Sequence, residues 1–209
     1  MSANRVLVML ALFAGLAGCG PLVKIGDDAP PPSLHTLRVL EPLPAMALPT
    51  PLLVDEPEAV AELRSPRMAV RTSPTGIEYL ARARWVDPPA RLFSKLLEEQ
   101  LRFAADGQVL SFRQIDAPFA YRLNSRLIDF HVDVSDKDNP RARVSLYLTL
   151  LTAPNPRVVS VTRVDVAAPL ASTRPDAVAV TMNELANAAA RQIADWLAAV
   201  PTASGRKPG

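Results

Sequence analysis

Apolar and polar residues alternate in the second half of residues 121–134 and along residues 142–150, and residues 158–166 follow as a third stretch. A period of two predicts β-strands that bury one face. Because the connections between the stretches are short, we expect an antiparallel meander. In the first stretch Asp129, His131 and Asp133 share the polar side. This pattern predicts His131 at the surface.

A hairpin is predicted upstream, with strands at residues 67–71 and 77–85. Between them Ser73-Pro74-Thr75-Gly76 forms the turn, since proline presets its first φ angle and glycine accepts a positive one. The second strand has Ile77, Tyr79, Ala81, Ala83 and Trp85 on a face predicted to be buried, and Glu78, Arg82 and Arg84 on the other. Residues 35–40 are predicted to form a first strand, and residues 52–54 a short edge strand.

Two segments have the apolar period of about 3.6 residues that is typical of helices. The first is predicted to begin with Asp87 as N-cap and Pro88 as first helical residue, and to stop at Asp106-Gly107. The second opens at Thr173-Arg174-Pro175-Asp176 and continues to Pro201. A one-sided sheet and two amphipathic helices predict an α+β fold: a two-layer sandwich whose mostly antiparallel sheet is covered on one face by two helices.

The first 18 residues have the organisation of a bacterial secretory signal peptide. Arg5 precedes an apolar run at residues 6–16, which is shorter than the roughly 20 residues that a spanning helix needs. Leu16-Ala17-Gly18-Cys19 follows as a lipobox that contains the one cysteine of the chain. We therefore predict cleavage between Gly18 and Cys19 and attachment of a diacylglycerol and an N-linked acyl chain, such as palmitate, to Cys19.

Two other interpretations of this segment stay open: an ordinary signal peptide with an incidental cysteine, and a buried N-terminal helix. Gly20 stands where many lipoproteins retained in the inner membrane have aspartate. The predicted location is consequently the outer membrane, with the domain facing the periplasm.

The rest of the chain divides into three parts. Residues 19–34 form the acylated start and a tether that contains Pro30-Pro31-Pro32, and residues 20–34 span at most about 50 Å when extended. Residues 35–201 form one domain, and residues 202–209 a disordered tail.

Charge and cysteine content exclude several classes of function. The chain has 23 Lys and Arg against 21 Asp and Glu, a formal net charge of +2 without a basic stripe, so nucleic-acid binding is not expected. Once Cys19 is acylated, no thiol is left for a disulfide or a nucleophile.

Candidate catalytic and metal-binding chemistry is sparse. No serine lies in a Gly-x-Ser-x-Gly frame, no phosphate-binding loop occurs, and only His35 and His131 could act as histidine bases. The segment Asp136-Lys137-Asp138-Asn139 begins like a calcium loop but lacks its glycine and closing glutamate. We predict no catalytic residue, no metal site, and no cofactor besides the lipid on Cys19, hence a protein that is not an enzyme.

Arg82 and Arg84 are the residues singled out for partner binding. Exposed charges on a strand also discourage unwanted edge pairing, and that second interpretation stays open.

Several segments together resemble the ABC-type transport auxiliary lipoprotein family, which includes the paraquat-inducible C lipoprotein. They are the lipobox, the proline-rich tether, Thr36-Leu37, Leu63-Arg64-Ser65-Pro66-Arg67-Met68-Ala69-Val70-Arg71, Ile77-Glu78-Tyr79 through Arg84-Trp85 with Pro88-Pro89, Leu127-Ile128-Asp129-Phe130, and the alanine-rich helix ending Asp195-Trp196-Leu197. The resemblance covers nearly the whole chain.

The resemblance implies a fold like the N-terminal domain of the Tol-Pal translocation protein B and a protein without enzymatic activity. It also implies partners: an ABC permease with its ATPase, and a periplasmic MCE-domain protein that carries lipids between the two membranes. Self-association into a homo-oligomer is a further expectation. Two alternatives remain at this point, a lipid- or ligand-binding lipoprotein that works alone and an envelope hydrolase.

Overall fold

The computed structural model describes residues 31–111 and 117–201. In chain order its elements are β1 (Ser33–His35), β2 (Leu52–Val54), β3 (Glu58–Ala59), a 3-10 helix (Ala61–Leu63), β4 (Arg67–Arg71), β5 (Ile77–Trp85), α1 (Pro89–Ala104), β6 (Val109–Ser111), β7 (Tyr121–Asp133), β8 (Arg141–Thr152), β9 (Val158–Pro169) and α2 (Pro175–Ala198). The predicted α+β class is confirmed, with the strands in one sheet and both helices packed on it.

The antiparallel meander of β7, β8 and β9 is the largest part of the sheet. On β8 the alternating aliphatic residues Val144, Leu146, Leu148 and Leu150 are at most 1% exposed, as the pattern predicts. Their in-register neighbours on β7 include Phe130 opposite Val144. The apolar face predicted from the sequence therefore forms the sheet side of the hydrophobic core.

β7 also organises the other half of the sheet. Along its second edge it pairs in parallel with three short strands in turn: β2 at Tyr121, β3 at Arg126 and β4 at His131. The sheet forks there, because β4 continues to β5 and β1 while β2 continues to β6. These short parallel pairings join segments far apart in sequence, and local periodicity carries no signal for them.

The prediction that residues 52–54 form an edge strand is wrong. β2 lies between β6 and β7, and its three residues Leu52, Leu53 and Val54 are all buried. Three consecutive apolar residues are what a strand covered on both faces requires. β6 is not predicted from the sequence, because a strand of only three residues is too short to show alternation.

The first strand was placed too late. β1 covers Ser33–His35 and pairs in parallel with the end of β5, whereas residues 36–40 form no strand. Their backbone is instead held by side-chain amides of α2: Asn183 Oδ1 accepts from Arg38 N at 2.8 Å, and Asn187 Oδ1 from Leu40 N at 3.1 Å. Tertiary hydrogen bonds thus replace the sheet pairing that the residue types favour.

Both helices occur where the period predicts them, with one shifted boundary. α1 has Pro88 as N-cap and Pro89 as first residue, so the predicted N-cap Asp87 lies one position earlier. The Asp87 carboxylate contacts Lys95 at 3.0 Å and Arg91 at 3.3 Å instead. The predicted stop is confirmed, since Asp106 and Gly107 adopt positive φ after the helix ends.

The two helices bury complementary surfaces against the sheet. α1 contributes large residues such as Phe93 and Leu97, both 0% exposed. α2 contributes Ala186, Ala189 and Ala190, also 0% exposed, and small side chains let a helix approach its neighbours closely. In the part of the chain that is described, neither helix is long and apolar enough to cross a membrane.

Candidate functional site

The residues predicted for lipid attachment and cleavage, Cys19 and Gly18, lie outside the described residues, and so does the tail at 202–209. The lipid anchor therefore stays a prediction from the sequence. The chain enters the described domain at β1, whose Ser33 Oγ donates a hydrogen bond to the carbonyl of Arg82 at 3.3 Å. The segment that follows Cys19 thus ends beside the arginines predicted to bind a partner.

Arg82 lies at an irregularity in β5. Its φ of 56° is in the left-handed region, which a residue other than glycine seldom adopts. Arg67 pairs with Arg84, and Ala69 pairs with Tyr79. Four residues of β5 lie between these two pairs, but only one residue of β4 does, so β5 bulges. The bulge interrupts the predicted alternation: Ala81 is exposed where it was expected to be buried, while Ala83 and Trp85 are buried as predicted.

Arg84 lies in a row of three exposed side chains that crosses three strands. It pairs in register with Leu34 of β1 on one side and with Arg67 of β4 on the other. Directly paired residues lie on the same face of a sheet. The guanidinium of Arg67 lies 3.5 Å from the centre of the Tyr79 ring, which fixes its position. Among the described residues, no ion pair or hydrogen bond involves the side chain of Arg82 or Arg84.

A buried polar cluster occupies the same face farther along the sheet. Ser145 Oγ donates to Asp129 Oδ2 at 2.6 Å, and the other carboxylate oxygen lies 3.4 Å from Arg71 Nη2 and 3.5 Å from His131 Nδ1. His131 is 5% exposed, Asp129 8% and Ser145 0%. Desolvation is the main cause that lowers the pKa of His131; the carboxylate of Asp129 opposes this effect, and Arg71 adds to it.

The surface position predicted for His131 is therefore wrong. β4 and β8 flank β7 at this point, and the residues directly opposite His131 are Ala69 and Arg143. An interior strand whose neighbours include long arginine side chains can bury a polar residue on its solvent-facing side. The alternation of polar residues correctly predicts the face of the sheet on which His131 lies. It does not predict that neighbouring side chains bury this part of the face.

The cluster lacks the geometry of a serine hydrolase. In such an enzyme the imidazole contacts the nucleophilic hydroxyl and the carboxylate orients the imidazole. Here Asp129 lies between Ser145 and His131, and the hydroxyl donates to the carboxylate. This arrangement links β7 to β8 through Asp129 and Ser145 and differs from a catalytic triad.

The calcium-like segment forms a turn between β7 and β8. Asp136 Oδ1 accepts from Asp138 N at 3.1 Å, and the Asp136 carbonyl accepts from Asn139 N at 3.3 Å. In the described ranges, no group of three or more His, Cys, Asp or Glu residues is arranged to hold a metal ion.

An apolar groove lies between the sheet and the start of α2. Its walls include Val70, Leu80, Val132 and Val178, and its volume is about 460 Å³. Lys137 lies at its rim. A groove of this kind suits an apolar chain with a polar end.

Comparison with known proteins identifies the family. Residues 38–194 match the family of ABC-type transport auxiliary lipoprotein components. The chain belongs to this family. The match extends from just after β1 into the second half of α2.

Solved structures agree with the family assignment. Protein XCC0632 from Xanthomonas campestris, of family DUF330, is 26% identical with a TM-score of 0.68 over 79% of this chain and 94% of that one. An uncharacterised protein with a TM-score of 0.61 shares the fold at 14% identity, covering 80% of this chain and 99% of its own. No curated protein matches the chain significantly. The fold of this chain is thus shared with both solved structures.

Proposed function

We propose that this auxiliary lipoprotein is an adaptor of an ABC-type MCE system that moves lipids between the inner and outer membranes. The observation that carries the proposal is the family match over residues 38–194, downstream of the lipobox. The lipid on Cys19 would hold the domain at the outer membrane, facing the periplasm. The adaptor itself would perform no chemistry.

The proposed partners are the periplasmic MCE-domain protein and the ABC permease with its ATPase. Hydrolysis of ATP belongs to that ATPase, and the sequence of this chain contains no phosphate-binding loop. Arg82 and Arg84 are proposed as contact residues, because both are exposed beside the point where the tether enters the domain.

Self-association is supported by β9, a strand of 12 residues with exposed Val158 and Val161 that pairs with β8 alone among the described strands.

The apolar groove beside α2 favours a second candidate function, a lipid-binding lipoprotein that works alone. Val70, Leu80, Val132 and Val178 would contact an acyl chain, and Lys137 would lie near a charged head group. This candidate predicts bound lipid without a transporter partner.

Affinity purification of the acylated full-length protein from membranes tests the proposal. We expect the permease, the ATPase and the MCE-domain protein among the captured proteins. A different outer-membrane lipoprotein with the same tag is the control for non-specific capture. Recovery of lipid with none of these subunits would favour the second candidate, and recovery of neither would contradict both.

A further inference from the structure

We propose that the row of Leu34, Arg84 and Arg67, together with Arg82, docks on an anionic lipid surface, so that the domain rests against the membrane that holds its anchor. The inference rests on the proposed function in one respect, the acylation of Cys19 that brings the domain to that membrane. In this inference the membrane, and not the transporter proteins, is what Arg82 and Arg84 contact.

The row combines positive charge with an exposed apolar residue. Leu34 is 64% exposed, and its in-register neighbour Arg84 is exposed as well. Val86, directly after β5, is 54% exposed, and its N–H donates to the carbonyl of His35 at 2.8 Å. Apolar side chains that enter the interface and basic side chains that bind phosphates are the two ingredients of peripheral membrane attachment.

The charges in the row are not neutralised within the described part of the protein. Arg67 and Arg84 are directly opposite each other on adjacent strands, an arrangement of like charges that destabilises a sheet. No ion pair there involves either residue, and the nearby Glu62 contributes its backbone carbonyl to a hydrogen bond with Tyr79. A phosphate group between the two guanidinium groups would offset the repulsion, because arginine binds phosphate through paired N–H groups.

The place where the tether enters favours lipid over an acidic protein as the contact. The residues between Cys19 and Ser33 reach at most about 50 Å when extended, and they lead straight into β1, which carries Leu34. The sequence predicts a tether of this length, which would give the surface an effective concentration on the order of millimolar at the membrane. Weak contacts that would fail for a free protein therefore suffice here.

A fluorescent probe beside the row tests the proposal in the full-length acylated protein. Because acylation consumes the thiol of Cys19, the single native cysteine, a V86C variant offers one site for an environment-sensitive label such as NBD. We expect its emission to rise severalfold and shift to shorter wavelength in vesicles of phosphatidylethanolamine and phosphatidylglycerol, but not in phosphatidylcholine vesicles. Salt at about 1 M, where the Debye length is about 3 Å, should reduce the response.

Variants distinguish the row from general attraction of a basic protein. In the V86C background, R67Q/R84Q and L34N should each lose most of the response, whereas R157Q/R191Q, which removes two exposed arginines elsewhere, should keep it. The same label at Val161 on β9 should respond to neither vesicle type. Circular dichroism of each variant verifies that the domain is folded.

The outcomes separate this inference from the proposed function. Mass spectrometry shows whether Cys19 is acylated, and a protein without the acyl chains contradicts the anchor itself. An acylated protein whose label stays unchanged on anionic vesicles overturns the docking surface while leaving the anchor in place. A response that appears only when the MCE-domain protein is added would assign the row to a protein partner instead.

Discussion

His131 and Asp129 are polar residues that the fold keeps from water. The imidazole is 5% exposed and lies 3.5 Å from the Asp129 carboxylate. Burial lowers its pKa despite that carboxylate, while Arg71 and Arg143 lower it further and Asp133 opposes them. The folded protein consequently takes up a proton at His131 less readily than the unfolded chain does.

This difference predicts a loss of stability in mild acid. Above the usual histidine pKa near 6.5 both states are neutral at this residue, and the folded state has its full stability. As the pH falls below that value the unfolded chain gains the proton first, so the free energy of unfolding should decrease, by at most about 1.4 kcal/mol per pH unit. Urea unfolding at a series of pH values between 7.5 and 5 measures this slope.

The other histidine supplies the control. His131→Asn should remove most of the slope, because no imidazole then titrates in the cluster, whereas His35→Asn should retain it. The lowered pKa of Asp133 affects stability only below its usual value of 3.8, outside this range. Equal slopes in the wild type and in His131→Asn would contradict the role given to His131.

At the scale of elements, three side-chain amides, those of Asn183, Asn187 and Gln100, hold the segment after β1 against the helices. Asn187 Nδ2 donates to the Arg38 carbonyl at 2.9 Å, and its Oδ1 accepts from Leu40 N at 3.1 Å. Gln100 of α1 makes the same pair of contacts with the Glu41 carbonyl and with Leu43 N, each at 3.0 Å. These amides provide hydrogen bonds that a neighbouring strand would otherwise provide.

Removing one amide should loosen this segment and leave the sheet intact. Asn187→Ala deletes both contacts with residues 38 and 40, and each such bond is worth about 1 kcal/mol. We expect the backbone amide of Leu40 to exchange hydrogen at least about tenfold faster, with little change in β8. Gln192→Ala, an exposed substitution on the same helix, is the matched control and should leave exchange unchanged. Uniformly faster exchange across the domain would show that Asn187 supports global stability instead.

These elements show what the sequence could predict. Long periodic segments were predicted correctly, because apolar and polar residues alternate in β8 from Ala142 to Leu150 and α2 keeps one apolar stripe. The three-residue strands β1, β2 and β6 were misplaced or missed, since their pairing partners lie far away in sequence. Arg82 and Arg84 could be chosen as exposed charges, whereas the bulge at Arg82 and the row with Leu34 depend on tertiary register.

For the molecule as a whole, the sequence predicts separate tasks for the tether and the domain. Among the described residues, the buried core extends from Leu37 to Val200, downstream of the predicted anchor. Changes near Cys19 should therefore alter where the protein resides without altering how it folds. Substitutions in the lipobox region can therefore test the location of the protein without disturbing its fold.

Gly20 is the residue on which the outer-membrane prediction depends. A Gly20→Asp variant keeps the lipobox and should still be acylated, but the aspartate after the acylated cysteine is the feature that retains many lipoproteins in the inner membrane. We expect the variant to move from outer-membrane to inner-membrane fractions on a density gradient, with an unchanged melting temperature.

Gly20→Ala should stay with the outer membrane, and Cys19→Ala should lack the mass of the acyl chains. If Gly20→Asp and the wild type sediment together, residue 20 does not determine the location. If both are found in the inner membrane, the adaptor must work at the inner membrane, beside the permease.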